Sequence, residues 1–385
     1  LVVHEVALCY FLNNSVNRLT KKGTDMKHAT LADVAKATGV SVSLVSLVLA
    51  GKAAKRCSPA VESKIKRAAK DLGYRANRLA RSLKEQQTRT LGMLSIEVAT
   101  TPYAGQLLSA AQKTARAHDY ELLFVEVENN PKSIEEAFGL LAEHQVVGTI
   151  IAAYFHSEVK LPKARPKNLV LANCITRSGS YPTIIPAEYA SYMQSLKLLG
   201  IAGHKHVGLI IDEVEWPAVE GRTKAFLDAA QNFDWVRPNE RIYKVSKTIA
   251  DHGYRATLEM MVRDPEITAI ACYNDPLAMG TYQALKELRI GIPEQVSVVG
   301  FDDLELISGG LRPGLTTVRL PHYQMGREAV EQLIRICEEK DEKPMNVVEI
   351  QGELVVRDSV SVPRNSASSY SSSEDSARSN QEEEK

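Results

Sequence analysis

The sequence predicts an α/β protein in which a large doubly wound body follows a small, strongly basic helical module. Three observations lead there. Residues 26–90 hold 14 lysines and arginines against 4 acids, a local charge of +10 inside a 385-residue chain whose formal net charge is zero. Two cap-and-stop signals between residues 30 and 50 outline a pair of short helices. From Thr90 onward, buried strand-like runs alternate with amphipathic helical patterns for about 270 residues, long enough for two lobes.

In the basic module, Thr30 is placed to cap a helix that carries Leu31, Val34 and Ala35 on one face, with Asp33 near its positive end. Gly39 supplies the left-handed stop. Ser41 caps a second helix whose inward face is Val45, Val48 and Leu49. Two short helices across a three- to four-residue turn form a helix-turn-helix. Ser58-Pro59 then opens a third helix with Val61, Ile65, Ala68, Ala69 and Leu72 as its stripe. At about 100° per residue, the outer face of the second helix holds Ser43, Ser46, Leu47 and Ala50, with Ser41 and Val42 at its N-terminal end. Those positions would meet base edges in a major groove. Leu47, a large apolar side chain expected to be exposed, has two readings: contact with thymine methyl groups, or filling of a gap in the protein.

Asn77 to Lys84 is a short capped segment with Leu79 and Leu83 at i, i+4. It is too short to be a stable helix alone, but a segment of this kind can order on DNA, where an inserted leucine wedges a minor-groove step. The plain alternative is a basic linker.

Beyond Thr90, strands are expected at Leu91–Ile96, Glu121–Val127, Val147–Ala152, Leu169–Asn173, His206–Ile211, Ile267–Cys272 and Val296–Phe301. Helices are expected at 104–118, 132–144, 188–202, 219–231, 251–263 and 275–288. Ligands bind such bodies at the carboxyl ends of the strands. Asn274 and Asp275 follow one strand end, Asp302 and Asp303 another, and Arg222 lies in the helix after His206–Ile211. Asp275 and Asp303 read equally well as simple caps of the next helix. Arg222, Asn274 and Asp302 together offer a forked donor, an amide and an acceptor, a set that reads hydroxyls. Tyr103, Phe155 and Tyr273 are candidates to pack on a ring face, or are simply core.

Composition narrows the class. With 44% hydrophobic and 24% charged residues the chain resembles an ordinary soluble protein with a sizeable core. No apolar run reaches the roughly 18 residues of a membrane span. Five widely spaced cysteines make neither a disulfide framework nor a zinc pattern, and suit a reducing cytoplasm. There is no G-x-G-x-x-G after the first strand, no P-loop, no G-x-S-x-G and no H-E-x-x-H, so no catalytic residue, cofactor or metal is expected. The expected organisation is a non-native or disordered leader over 1–25, the helix-turn-helix module over 26–74 and a linker over 75–89. The body then spans 90–363 and a Ser- and Glu-rich disordered tail 364–385.

These residues resemble the lactose-repressor/galactose-repressor (LacI/GalR) family of transcription regulators over about Met26 to Pro363. The resemblance is carried by Ala29-Thr30-Leu31-Ala32-Asp33-Val34-Ala35, Gly39-Val40-Ser41-Val42-Ser43 and Leu72-Gly73-Tyr74. Further along it is carried by Arg222 with Phe226, Asn274 to Gly280, Val299 to Asp303 and Leu320 to Gly326. It implies a hinge helix over Asn77 to Leu83, with Asn77, Ala80 and Leu83 toward DNA and Leu83 as the minor-groove wedge. It also implies a periplasmic-binding-protein-like, two-lobed core with an effector, usually a sugar, between the lobes. Tyr103, Arg222, Asn274 and Asp302 are the candidate effector contacts. A homodimer on a palindromic double-stranded operator follows from the same resemblance, with no membrane role. The chain departs from the family pattern at Leu44, Leu47 and Ala50, where Thr, Arg and Asn are usual, and at Ala76, where Pro is frequent. The competing reading is a sugar-binding protein without a DNA role; the absence of an export-signal pattern and the charge of the basic module weigh against it.

Overall fold

The computed structural model describes residues 29–49, 51, 53, 56–74, 88–98, 105–177, 181–338 and 347–363. Expectations for 1–25, Ala50, the Asn77–Leu83 hinge, Tyr103 and 364–385 lie outside the described residues. The chain divides into two compact units, residues 1–86 and 87–385.

The first unit contains α1 (Leu31–Thr38), α2 (Val42–Leu49) and α3 (Pro59–Asp71). Thr30 and Asp33 form a capping box: the Asp33 N–H donates to Thr30 Oγ1 at 3.3 Å and the Thr30 N–H to Asp33 Oδ2 at 2.8 Å. Gly39 ends α1 at φ +71°, the left-handed conformation in which its N–H reaches the Ala35 carbonyl. The chain then turns by 107° into α2, within the range of helix-turn-helix pairs. Ser41 caps α2 by accepting from the Leu44 N–H at 3.2 Å, and Ser58 caps α3 ahead of Pro59. Val34, Ala35, Val45, Val48, Ala53, Ile65 and Ala69 form one small core. Lys64 Nζ ties α3 to the end of α1 through the Thr38 carbonyl at 3.0 Å.

Two expectations need correction. Leu72 stands 43% exposed, because it falls at the C-cap of α3, past the last core-facing turn. Leu47 is half-buried and packs on the core with Leu44 and Leu49. An eight-residue helix held between two neighbours is covered over most of its circumference, so a long side chain on its flank folds back onto them.

The second unit has two lobes. In lobe 1, β1 (Thr90–Ile96), β2 (Glu121–Glu126), β3 (Gly148–Glu158), β4 (Leu169–Ile175), β5 (Thr183–Pro186) and β11 (Val347–Ile350) form an all-parallel sheet in the order β11-β5-β4-β3-β1-β2. Leu91, Met93, Ile150 and Val170 face α4 (Gly105–Ala117) and α11 (His322–Glu338), whereas Leu94, Ile151 and Leu171 face α5 (Pro131–Glu143). This is the two-sided burial that parallel sheets require. Lobe 2 has a second parallel sheet, ordered β7-β6-β8-β9, from β6 (Val207–Asp212), β7 (Ile242–Val245), β8 (Ala269–Cys272) and β9 (Ser297–Val299). Around it pack α6 (Glu188–Ile201), α7 (Pro217–Asn232), α8 (Ala250–Arg263) and α9 (Asp275–Glu287), enclosing a core that includes Phe226, Tyr192 and Phe301. A short α10 (Glu305–Ser308) follows, and β10 (Thr317–Arg319) pairs antiparallel with β12 (Glu353–Val355) beside this core.

The backbone passes between lobes three times, from β5 to α6, from β10 to α11 and from β11 to β12. Two glycines allow helices to touch. A Cβ on Gly280 of α9 would lie 1.9 Å from the Ala250 carbonyl oxygen, and one on Gly326 of α11 would lie 2.2 Å from that of Leu107. Relative to the sequence expectation, β3 runs six residues further, past an irregularity in its pairing with β4 between Ala152 and Ser157. The short strands β5, β7, β10, β11 and β12 and the helices α10 and α11 are additions.

Candidate functional site

Two sites emerge, one in each unit. On the helix-turn-helix, Ser41, Val42 and Ser43 are exposed together at the N-terminal end of α2, with Val42 46% exposed. Ser46 and Leu47 are half-buried further along. The N-terminal turn of α2 is thus the part of the helix free to approach a partner. Its backbone N–H groups add a partial positive charge suited to phosphate.

The second site lies where the lobes of the body meet. Arg222 of α7 is 3% exposed, and its Nε and Nη2 both donate to Glu188 Oε2, at 2.9 and 2.8 Å. Nη1 donates to the Tyr273 carbonyl at 2.5 Å. The guanidinium lies over the Phe301 ring at 3.6 Å and the Tyr273 ring at 4.3 Å. Glu188, in the first turn of α6, also places Oε1 3.4 Å from Nδ1 of His156 on β3. At that distance the contact is electrostatic, and neither His156 ring nitrogen completes a hydrogen bond among the described residues. Asn274 caps α9: its Oδ1 accepts from the Leu277 N–H at 3.0 Å, and its Nδ2 donates to the Thr248 carbonyl at 3.0 Å. Its amide therefore holds the loop after β8 in place.

Asp302 follows β9 at φ +110°, a conformation few side chains adopt. With His322, Gln106, Asp303, Glu305, Arg319 and Arg357 it lines a cavity of about 300 Å³. Asp303 accepts from Arg319 at 2.9 Å, Arg357 at 2.7 Å and Ser308 at 2.8 Å. Asp275 accepts from the Thr317 hydroxyl at 2.6 Å and the Leu304 N–H at 2.7 Å. Both anchor strand ends, and neither caps the next helix as the cap reading expects: Asn274 is the N-cap of α9, and α10 follows Leu304 with no side-chain cap. Tyr273 is buried, and Phe155 is 42% exposed against Tyr154.

Electrostatics follow from this packing. Burial drives the Asp302 carboxyl up to about 7; Arg222 opposes the rise and Glu188 adds to it. Burial also acts to raise Glu188, but Arg222 and His156 outweigh it and the net shift is downward. Burial pushes His322 down to about 4, against the pull of Glu188. His322 is therefore a neutral imidazole near pH 7, and Asp302 is poised between its acid and its anion. Sequence reasoning found Arg222 and Asp302 but missed Glu188, His156 and His322. The first looked like an ordinary first-turn acid, and the two histidines carried no spacing signal.

A DNA-reading helix pair on a two-lobed binding body defines a class, the ligand-responsive transcription regulators, and the comparisons with known proteins agree. A family model for bacterial regulatory proteins of the lacI family matches residues 30–77, and one for the periplasmic binding protein-like domain matches 198–360. The HTH-type transcriptional regulator GalR of Escherichia coli (strain K12) is 29% identical over 353 residues, covering 90% of this chain and 100% of that one. The HTH-type transcriptional repressor PurR of Histophilus somni (strain 2336) is 28% identical over 341 residues, 86% of this chain and 99% of that one. In fold the chain is similar to the crystal structure of the lac repressor dimer bound to operator and the anti-inducer ONPF. That match has a TM-score of 0.67 and 22% identity, over 87% of this chain and 100% of that one. The chain thus carries a lacI-family regulatory domain followed by a periplasmic binding protein-like domain.

Proposed function

We propose that the protein is a repressor that reads a palindromic DNA site as a homodimer, in the cytoplasm and without catalysis, under the control of a small molecule bound between its lobes. The observation that carries this reading is the pairing of an exposed N-terminal turn on α2, inside a segment of charge +10, with a polar junction between two lobes. Ser41, Val42, Ser43, Ser46 and Ala50 serve base and backbone contact, Leu47 supports α2 from the small core, and Asn77, Ala80 and Leu83 serve the hinge contact. Asp302, Arg222 and Tyr103 serve the effector, with Asn274 holding the strand end in position. The donor and acceptor set at the junction favours a sugar. Coupling follows by linkage: a ligand that prefers one lobe arrangement shifts the population competent for DNA, and DNA shifts ligand affinity by the same factor.

The test is selection from a random duplex pool with the full chain at about 150 mM salt, where purely electrostatic binding is weak. The expected result is a palindrome whose half-sites reflect two-fold symmetry, with a flexible pyrimidine–purine step at its centre. Retention that is independent of sequence and collapses with added salt would refute the reading.

A further inference from the structure

Taking the effector reading as its base, we infer that the lobe junction selects an uncharged polyhydroxylated ring and excludes anions, because Glu188 has already claimed the charge of Arg222. Every nitrogen of that guanidinium is engaged: Nε and Nη2 by Glu188, Nη1 by the Tyr273 carbonyl. The carboxylate and its arginine are both buried, so a ligand carboxylate or phosphate would have to displace one anion with another inside a site that water does not screen. In the cavity lining itself, Arg319 and Arg357 are likewise committed to Asp303, and Arg319 also to Glu353 at 3.0 Å. Those two arginines share the cavity lining with three acids, Asp302, Asp303 and Glu305. Among the described lining residues no cation is in surplus.

The groups with unspent hydrogen-bonding capacity are of another kind. His322 Nε2 is buried with no hydrogen-bond partner among the described residues, and His322 lines the cavity beside Asp302. The neutral His322 imidazole offers one donor and one acceptor over its two nitrogens, and a hydroxyl can answer either. A buried polar atom of this sort calls for a partner, and His322 opens α11 where the chain crosses between the lobes. The Asp302 carboxyl, from lobe 2, accepts further hydroxyls. Hydroxyls distributed around a ring satisfy both, whereas a phosphate brings only acceptors, which the Asp302 carboxylate cannot answer.

The experiment is thermal unfolding of the full chain, read by tryptophan fluorescence, with paired ligands at millimolar concentration. Each uncharged mono- or disaccharide is compared with its phosphorylated or uronic acid counterpart, and inorganic phosphate is titrated separately at matched ionic strength. At least one uncharged sugar is expected to stabilise the chain saturably, with its anionic counterpart at least roughly tenfold weaker, since like charges placed together are strongly disfavoured. Glu188→Gln, which releases Arg222, is expected to gain affinity for the anionic counterpart. The paired comparison on the unsubstituted chain stands even if that variant fails to fold. Equal or tighter binding of a phosphorylated or carboxylated sugar by the unsubstituted chain would overturn the inference. So would a failure of every uncharged sugar to bind while the chain still retains its selected DNA. That second outcome removes the ligand class and leaves the DNA-binding reading intact, so the two failures are distinguishable.

Discussion

Breaking the Glu188–Arg222 pair is the sharpest probe of the body. Glu188→Ala leaves a guanidinium that is 3% exposed without its paired carboxylate, with only the partly protonated Asp302 nearby, and the contacts of 2.9 and 2.8 Å disappear. Removing one partner of such a buried pair costs about 3–5 kcal/mol. For a body of this size the corresponding fall in melting temperature is roughly 6–10 °C, taking about 2 °C per kcal/mol. Arg222→Met alone is expected to cost a similar amount, because it strands Glu188. The double variant is expected to recover part of the loss, since an apolar pair replaces a desolvated ionic one, with a coupling of about 2–3 kcal/mol. Urea unfolding followed by tryptophan fluorescence is the assay. The chain's two tryptophans, Trp216 and Trp235, both lie in lobe 2. Trp235 packs against Phe226 of α7, the helix that carries Arg222, at a ring-centroid distance of 5.2 Å. The signal thus reports the right element and not the helix-turn-helix. If either single substitution costs less than about 1 kcal/mol, or the double variant loses the sum of the two, the claim that this pair neutralises the junction is wrong.

The remaining predictions concern the junction, the helix packing and α2. Asp302 holds its proton to about pH 7 when folded and to near 3.8 when unfolded, so its stabilising contribution is complete below about pH 4 and is lost as pH rises through 7. Asp302→Asn should therefore gain stability relative to the unsubstituted chain between pH 4 and 8, measured by urea midpoints; a pH-independent difference would contradict this. Gly280→Ala places a methyl group against the Ala250 carbonyl and should destabilise lobe 2 by about 1–3 kcal/mol, seen as a lower fluorescence melting temperature. Leu47→Ala should weaken binding to all half-sites alike by loosening the small core; a loss confined to one thymine position would instead restore the base-contact reading.

How far the sequence reaches is set by the range of the forces involved. Thr30, Gly39, Ser41 and Ser58-Pro59 act within four residues of where they stand, and each performs in the structure the capping or stopping role read from its neighbours. The alternation of strands and helices was equally legible, because two-sided burial makes parallel strands continuous apolar runs. Strands of three or four residues, such as β10 and β12, carry too few side chains to show a period. Glu188 was invisible for a different reason: its partner is 34 residues away, and nothing local separates it from an acid that merely favours a helix N-terminus. Leu47 misled because a helical wheel treats the face opposite the core as solvent.

The three passages of the backbone between lobes bear on how the protein is made. Lobe 1 begins with the strands of residues 90–186, yet its sheet is finished by β11 and its helical layer by α11, more than 130 residues later. During synthesis the first lobe to emerge therefore waits for its last strand until lobe 2 is almost complete. Until α11 arrives, Leu107 and Ala111 of α4 lack their Met325 and Val330 neighbours, and β5 offers an open edge where β11 will sit. Lobe 2, contiguous from α6 through β10, needs only the short return of β12 and the residues beyond it. A nascent chain would thus carry an unfinished sheet through most of its translation. Separating the lobes as fragments would require supplying residues 322–350 in trans, which makes that stretch the natural point at which to complement or interrupt assembly.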